Sequence, residues 1–263
     1  MERSHPTGPT VPENLVTTLL LLGAGFLAGI LNAIAGGGSL ISLPLLIFVG
    51  LPATTANATN RIALFIGGIG ATHSFARRGL IPTSWFKLAV PPALVGVVLG
   101  TWGATQIGDV AFERVLAMVL LLAAALIVWK PLSIQEGADV PPPPGGAKRW
   151  WLALAFFGLG MYSGFIQAGV GFLFVALFAA QGIDLIRANG IKAPLILMFT
   201  GLAIVLFAFT GLLDWVAGLT LAGGQFFGAK FGVHLQVLKG QAWVRSVLIV
   251  AIVAFSIRLL LSG

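Results

Sequence analysis

The chain has no cysteine and little charge, with 8 Asp and Glu residues and 15 Lys and Arg residues among 263. The absence of cysteine excludes disulfides, thiolate metal sites and any transport relay that passes through a thiol. Charged residues make up 9% of the chain, whereas a soluble domain carries about 25%. Because so few charges leave too little polar surface, the composition excludes a soluble globular domain.

Long apolar runs are abundant instead. Hydrophobic residues make up 58% of the chain. Apolar stretches of about twenty residues, the length that a helix needs to cross a bilayer, recur along the whole sequence. The alternating ten-residue strands of a membrane β-barrel do not occur. The sequence therefore predicts an all-α polytopic membrane protein with the lipid bilayer around it.

The chain divides into a polar N-terminal tail (1–13), a first transmembrane repeat (14–129), a proline-rich linker (130–149) and a second transmembrane repeat (150–263). The tail has a single Arg and no compact cleavage site, so the first apolar run is interpreted as a retained helix. The linker is polar and stiffened by four consecutive prolines. The ten apolar segments are Leu15–Ile34, Leu40–Val49, Ile62–Phe75, Trp85–Ile107, Val110–Trp129, Trp150–Gln167, Phe172–Ala180, Ala193–Phe209, Trp215–Val237 and Val244–Leu261.

Two glycine-rich breaks interrupt this pattern. Gly36-Gly37-Gly38-Ser39 precedes the short second segment, and Gly169-Val170-Gly171 precedes the short seventh segment. Each short segment has only about half the length of a membrane crossing. Paired, short, glycine-broken segments at corresponding places in two halves indicate the substrate site of a secondary transporter.

The two halves also match in detail. Gly29 aligns with Gly164, Asn32 with Gln167, and Asn60 with Asn189, while Gly96 and Gly100 align with Gly224 and Gly228. We therefore predict two homologous halves, and glycines four apart favour close helix packing in lipid. Five segments is an odd number, so two such halves would be inverted repeats. If the two short segments are re-entrant instead, eight segments cross, and that alternative stays open.

The basic residues sit in short clusters between apolar runs. If all ten segments cross, Arg77, Arg78, Lys130, Lys148, Arg149, Arg187, Lys192 and Lys239 fall on one side, which the positive-inside bias makes cytoplasmic. Asp109 and Asp214 then lie on the opposite side. If eight segments cross, Lys239 moves outside, which fits the bias less well. This pattern accounts for the net charge of +7 without a nucleic-acid partner.

The breaks predict an anion site. A half-helix N-terminus within the membrane offers unpaired N–H groups and a partial positive charge, and glycine lets a ligand approach the backbone. Positive and amide side chains nearby suit an oxyanion. The alternatives are snorkelling for Arg61 and Lys192, and interhelical hydrogen bonds for Asn32 and Gln167. The candidate substrate-binding residues are Asn32, Gly36, Gly37, Gly38, Ser39, Thr59, Asn60, Arg61, Gln167, Gly169, Gly171, Asn189 and Lys192.

Other polar residues are weaker candidates. His73 and His234 are single histidines in apolar runs, which we interpret as packing residues, and Asp184 is expected to be solvated beside a loop. No Asp or Glu lies squarely inside an apolar segment, so a proton or sodium site has no strong candidate. No catalytic set, metal-ligand spacing or Walker loop occurs. We expect no enzyme activity, no cofactor and no metal.

At these residues the chain resembles the TauE/SafE family of sulfite-exporter-like permeases. The resemblance rests on Gly25–Ser39, Ala58–Arg61, Gly164–Gly171 and Arg187–Pro194 and covers nearly the whole chain apart from the tail and the linker. It implies a multi-pass carrier in a prokaryotic inner membrane that moves sulfite, a sulfonate such as sulfoacetate, or a related organosulfur anion. A homodimer is one assembly to expect.

The membrane potential favours export as the direction of transport, and we expect the mechanism to be alternating access. A unit charge crossing the membrane gains about 2.3 kcal/mol per 100 mV, and the negative cytoplasm expels an anion without a coupling ion. The alternatives are an anion channel, an importer coupled to a cation, and a membrane scaffold without a ligand.

Overall fold

The computed structural model describes residues 14–34, 36–129 and 140–239. Within these ranges the regular structure is helical and contains no strand, which confirms the predicted all-α class. The helices are α1 (Leu15–Ile34), α2 (Ser39–Phe48), α3 (Ala53–Ala76), α4 (Phe86–Gln106), α5 (Asp109–Trp129), α6 (Gly146–Phe165), α7 (Val170–Ala179), α8 (Leu185–Ala208) and α9 (Trp215–Lys239), with a 3-10 turn at Thr83–Trp85.

Most boundaries follow the apolar pattern. Helix α1 has the predicted bounds, and α2, α4, α5, α7 and α9 begin and end within two residues of them. Helix α6 begins at Gly146 instead of Trp150, so the last residues assigned to the linker are its first turn. The tenth predicted segment lies outside the described residues.

The predicted starts of α3 and α8 were wrong. The sequence places them at Ile62 and Ala193, but the helices begin at Ala53 and Leu185. The polar patches before the apolar runs are therefore helical turns. They stay helical inside the protein because their polar side chains bond to carbonyl groups of other helices, as described below.

Three helical stretches of the described chain are long and apolar enough to cross a membrane: Leu15–Ile34, Thr83–Gln106 and Leu185–Ala208. Helices α2 and α7 are apolar but have ten residues each, or about 15 Å of helix. This combination fits a polytopic membrane protein with two interrupted segments.

The predicted glycine positions are sites of very close helix packing. A Cβ atom on Gly224 or Gly228 of α9 would lie 2.0 Å from a backbone oxygen of α1. On Gly96 or Gly100 of α4, it would lie 2.2 or 1.9 Å from a backbone oxygen of α6. Only a residue without a side chain allows backbones to approach this closely. Helix α1 therefore packs on α9, and α6 packs on α4.

The order of contacts gives the relative directions of the helices. Along α3 and α9 the contacts advance together, from Ile62 with Gly218 to Gly67 with Gln225. Along α1 and α9 they also advance together, through the pairs Gly25–Leu221, Gly29–Gln225 and Ile30–Gly232. Helices α1, α3 and α9 thus run in the same direction.

Helix α8 runs the other way. Its contacts with α3 go in opposite senses, with Arg61 beside Phe207, Phe65 beside Gly201 and Gly68 beside Leu197. Helices α4 and α6 run parallel to each other, as the pairs Ala93–Gly160 and Val97–Gly164 show.

These directions favour ten alternating segments. If α2 were re-entrant, α3 would start on the membrane side where α1 ends, and α3 would then run opposite to α1. In the structure the two helices run in the same direction. Helix α2 therefore returns the chain to the side where α1 began. Since α3 and α8 are antiparallel, and α4 follows α3 after a short connection, we infer that the two halves are inverted repeats.

A cluster of phenylalanines fixes the second short helix. Phe174 and Phe178 of α7 pack against Phe156 of α6 and Phe199 of α8, with ring centroids 5.9 to 6.3 Å apart. All four side chains are fully buried. Close-packed aromatic rings of this kind hold a helix in one position, so the start of α7 is fixed relative to α6 and α8.

Candidate functional site

The two glycine-rich breaks touch each other. A Cβ atom on Gly36 would lie 2.2 Å from the Cα atom of Gly171, and one on Gly171 would lie 2.3 Å from the Cα atom of Gly36. The chain turns sharply at both breaks, where Gly36 and Gly169 have left-handed φ angles of 81° and 73°. The two breaks come from different halves of the chain, and in the structure their backbones are in direct contact.

Helix α1 ends at the first break, and residues of α8 satisfy its last carbonyl groups. Asn189 Nδ2 donates to the carbonyl oxygen of Ile34 at 2.7 Å, and Lys192 Nζ donates to that of Asn32 at 2.9 Å. Lys192 also donates to the side-chain oxygen of Asn189. A helix end inside the membrane has no water to bond these carbonyls, so α8 supplies the donors.

Helix α6 ends at the second break, and side chains of α3 donate hydrogen bonds to its last carbonyl groups. Asn57 Nδ2 donates to the carbonyl oxygen of Phe165 at 2.9 Å. Arg61 donates from Nη1 to the carbonyl oxygen of Ser163 at 2.8 Å and from Nη2 to that of Gly164 at 2.7 Å. Each half of the protein thus caps the broken helix of the other half.

This arrangement corrects one predicted pairing and excludes one alternative. The counterpart of Asn189 is Asn57, not Asn60, which instead accepts a hydrogen bond from Ser42 Oγ at 2.6 Å within the first half. Arg61 and Lys192 are 1% and 2% exposed, so neither side chain snorkels toward a membrane surface.

A small cavity of about 40 Å³ lies beside the breaks. It has room for a few water molecules, since one water needs about 10–15 Å³ of such space, and its lining residues lie near the midpoints of α3 and α9. Five of the predicted site residues line it: Asn32, Gly36, Ser39, Gln167 and Lys192. The remaining lining residues are Gly29, Ala33, Leu64, Gly67, Gly68, Ala71, Val170, Ala193, Ile196, Gln225 and Ala229.

Both short helices begin at this cavity. Ser39 is the first residue of α2, Val170 is the first residue of α7, and both line the cavity. The cap residues, Gly38 and Gly169, have no side chain that could bond the first N–H groups of the two helices. Because a helix N-terminus carries a partial positive charge, both helix ends favour an anion here.

Lys192 has the chemistry of an anion ligand. Its ammonium group has three N–H donors, and two of them bond to Asn32 and Asn189. In the described part of the chain, no carboxylate lies within ion-pair distance of Lys192 or Arg61. Burying a positive charge without a negative partner is costly, and an anion in the cavity would supply that partner.

Arg61 lies outside the cavity lining. Besides the two carbonyl groups, it donates to Gln167 Oε1 at 2.9 Å, and its guanidinium group lies 5.1 Å from the centroid of the Phe207 ring. Gln167 in turn donates from Nε2 to Thr200 Oγ1 at 2.7 Å. Arg61 therefore positions Gln167, which does line the cavity, rather than facing the cavity itself.

The remaining predicted residues also lie outside the lining. The Gly38 N–H donates to Asn32 Oδ1 at 2.8 Å, and Thr59 Oγ1 accepts from the backbone N–H of Asp214 at 2.9 Å. The others that do not line the cavity are Gly37, Asn60, Gly169, Gly171 and Asn189.

Sequence reasoning missed Gln225. This residue of α9 is 1% exposed and lines the cavity. Neither of its side-chain amide atoms has a hydrogen-bond partner among the described residues. The available signal was a glutamine in the middle of an apolar segment, since intramembrane polar residues mark functional sites. It was overlooked because the neighbouring glycines were interpreted only as helix-packing residues.

Three weaker predictions need correction. His73 and His234 are exposed on the protein surface and are not packed inside it. Asp184 is 7% exposed and not solvated. It caps α8 by accepting from the backbone N–H of Arg187 at 3.0 Å, and it forms an ion pair with the Arg187 side chain at 3.2 Å.

Comparisons with known proteins agree with this architecture. The chain is 30% identical to a probable membrane transporter protein of Sinorhizobium over 90% of both chains. It is 28% identical to the probable membrane transporter protein YfcA of Escherichia coli, over 92% of this chain and 90% of that one. A probable membrane transporter protein of Haemophilus influenzae is 27% identical, and no solved structure gives a significant match. The family described as "Sulfite exporter TauE/SafE" matches residues 21–259, and the chain belongs to this family of membrane transporters.

Proposed function

We propose that this protein exports a sulfur-containing oxyanion, sulfite or an organosulfonate such as sulfoacetate, across a bacterial inner membrane by alternating access. The observation that carries the proposal is Lys192, a buried cation that lines a cavity between two helix N-termini and has no carboxylate partner in the described chain. The family description names sulfite export.

The polar groups around the cavity support an anion over a cation. Two of the three N–H donors of Lys192 bond to acceptors among the described residues, which leaves the third for a ligand, and the two short helices present their positive ends. The lining described above contains no Asp or Glu. A sodium or proton site needs acidic or clustered oxygen ligands, so cation-coupled import has less support than export driven by the membrane potential.

The size of the cavity supports alternating access over an open channel. A volume of about 40 Å³ has room for a few water molecules but not for a whole organosulfonate, and the contact between Gly36 and Gly171 closes the space between the breaks. An anion of that size therefore fits only if the helices around the cavity move apart. Such movements expose a central site to one side at a time, as in other transporters with broken helices.

Binding to purified protein tests the assignment of Lys192. We expect sulfite or sulfoacetate to raise the melting temperature of the wild-type protein, and we expect Lys192→Met to weaken that binding by about tenfold or more because it removes a charged hydrogen-bond donor. Lys230→Met is the matched control: Lys230 also lies on an intramembrane helix, but it is exposed and sits over the Phe226 ring. Equal affinity in wild type and Lys192→Met would refute the assignment.

Flux measurements in proteoliposomes test the mode and direction of transport. An exporter of an anion should show saturable flux that accelerates when the compartment holding the anion is made electrically negative. An ohmic current without saturation would instead indicate a channel, and uptake that requires sodium or protons would indicate a coupled importer.

A further inference from the structure

Gln225 is a buried amide that the protein leaves unbonded. Its side chain lies in the cavity wall together with Lys192, and both Oε1 and Nε2 are without a hydrogen-bond partner in the part of the chain that is described. A buried amide without partners is costly, and proteins retain few of them. Because the amide lies in the wall of a cavity, a ligand in the cavity could supply the missing hydrogen-bond partners.

The surrounding backbone makes room for this side chain. A Cβ atom on Gly67 of α3 would lie 3.0 Å from Gln225 Cγ and 3.3 Å from its Oε1 atom. A methyl group at position 67 would be in unusually tight contact with the Gln225 side chain and would require it to shift by a few tenths of an ångström, so a glycine in the facing helix leaves the amide its present position.

The other half shows that packing does not require a glutamine. Gly29 of α1 packs on the backbone oxygen of Gln225, where an added Cβ would lie 2.4 Å away. Its counterpart Gly164 of α6 packs in the same way on Val97, at 2.3 Å. Val97 is apolar and fully buried. The polar side chain at position 225 is therefore an addition to one half of the repeat.

The donor and acceptor inventory indicates what the amide would bind. Whichever way the amide is turned, it offers one NH₂ donor and one carbonyl acceptor. Lys192 offers donors only. A fully ionised oxyanion carries acceptors only, so it would bond Lys192 and the NH₂ group but would leave the Gln225 carbonyl oxygen unsatisfied or facing another oxygen.

We infer that Gln225 makes this site selective for singly charged anions that also carry a hydrogen-bond donor, such as a hydrogen oxyanion or a hydroxy-substituted sulfonate. The inference rests on the proposed function, in which the cavity at Lys192 binds a sulfur-containing anion. One cation in the lining matches one negative charge, and the ligand hydroxyl donates to Gln225. Sites that hydrogen-bond a ligand hydroxyl discriminate strongly against the analogue that lacks it.

A pair of sulfonates isolates the effect of the hydroxyl group. Isethionate and ethanesulfonate carry the same single charge and differ by one hydroxyl. We expect the purified wild-type protein to bind isethionate at least tenfold more tightly, as measured by titration calorimetry. In Gln225→Met, which keeps the length of the side chain and removes both polar atoms, the ratio of the two affinities should fall to about one.

Gln236→Met is the matched control. Gln236 lies on the same helix, is also 1% exposed, and likewise has no partner for either amide atom within the described residues. It does not line the cavity. Both Met variants remove an unsatisfied buried amide and should be at least as stable as the wild type, but Gln236→Met should keep the preference for isethionate.

Different outcomes refute different claims. If the wild type binds both sulfonates equally, if it binds neither while sulfite still raises its melting temperature, or if Gln225→Met keeps the preference, the inference is wrong and the anion site stands. If no anion binds the wild type, the proposed function fails. Should Gln225→Met not fold, Gly67→Ala tests the same claim, because the added methyl group displaces the amide and should reduce the preference.

Discussion

Arg61 and Lys192 differ in where they lie relative to the cavity, since Lys192 lines it and Arg61 does not. The terminal nitrogens of Arg61 bond two carbonyl groups and the side chain of Gln167, and the guanidinium group contacts an aromatic ring. Lys192 bonds two acceptors and lines the cavity. At the scale of single residues, the two cations thus have different positions: each bonds the carbonyl groups of a helix end, and Lys192 also lines the cavity.

Substitution should distinguish these two positions. We expect Arg61→Met to lower the free energy of unfolding by about 3 kcal/mol, because the buried carbonyl groups of Ser163 and Gly164 lose charged donors. The affinity of the remaining folded protein for sulfite should change less than threefold. Thermal unfolding and calorimetry in detergent measure both quantities. A loss of affinity as large as that of Lys192→Met would contradict this division and return Arg61 to the ligand site.

Sequence reasoning found the residues of the caps but not their partners. Asn189, Arg61 and Lys192 stood out as polar residues beside apolar runs. The carbonyl groups that they cap are more than a hundred residues away in the sequence, as in the bond from Asn189 to Ile34. No local sequence pattern indicates such a contact. Asn57 lies in the same polar patch as Thr59, Asn60 and Arg61, and nothing in the local sequence distinguished it as a cap of α6.

At the scale of elements, the two interrupted helices are the feature that sequence reasoning anticipated best. Glycine-rich stretches before short apolar runs predicted both of them, and in the structure the two breaks cross in direct contact. The asymmetry of the site was not predictable, because it depends on which side chain of α9 faces the cavity. That choice follows from the packing angle of α9 on α1 and α3, which the apolar pattern leaves open.

Adding one methyl group at the crossing should be disruptive. In Gly171→Ala the new Cβ would lie 2.3 Å from the Cα atom of Gly36, and backbone atoms cannot move aside as a flexible side chain can. We expect a loss of about 1–3 kcal/mol of stability or a failure to fold, measured by thermal unfolding of the purified protein.

Gly158→Ala provides the control for that substitution. Gly158 lies inside α6, and a Cβ atom there would have no neighbour within 4 Å. Since alanine favours helix more than glycine, this variant should be neutral or more stable by up to about 1 kcal/mol. Equal stability of the two alanine variants would show that the breaks can separate without cost, and the tight crossing would then not hold the site together.

At the scale of the whole molecule, the sequence left two topologies open, with eight or ten crossings. The choice depends on whether α1 and α3 run in the same direction, which is a property of packed helices and is not written in their hydropathy. The contacts of both helices with α9 give the same direction. In the ten-crossing arrangement, the starts of α6 and α8 and the ends of α3 and α9 share one side, and this side carries the basic clusters.

Cysteine labelling tests this topology without background, because the natural chain has no cysteine. Lys148→Cys marks the start of α6, Leu238→Cys the end of α9 and Gly108→Cys the connection between α4 and α5, all at exposed positions. With ten crossings and a cytoplasmic basic side, a membrane-impermeant maleimide added to intact cells should label only Gly108→Cys. Permeabilised cells should show labelling of all three variants. With eight crossings, Lys148→Cys and Leu238→Cys would lie on opposite sides of the membrane. Labelling of one and not the other in intact cells would therefore contradict the inverted repeat, and with it the arrangement in which the two broken helices meet as mirrored ends.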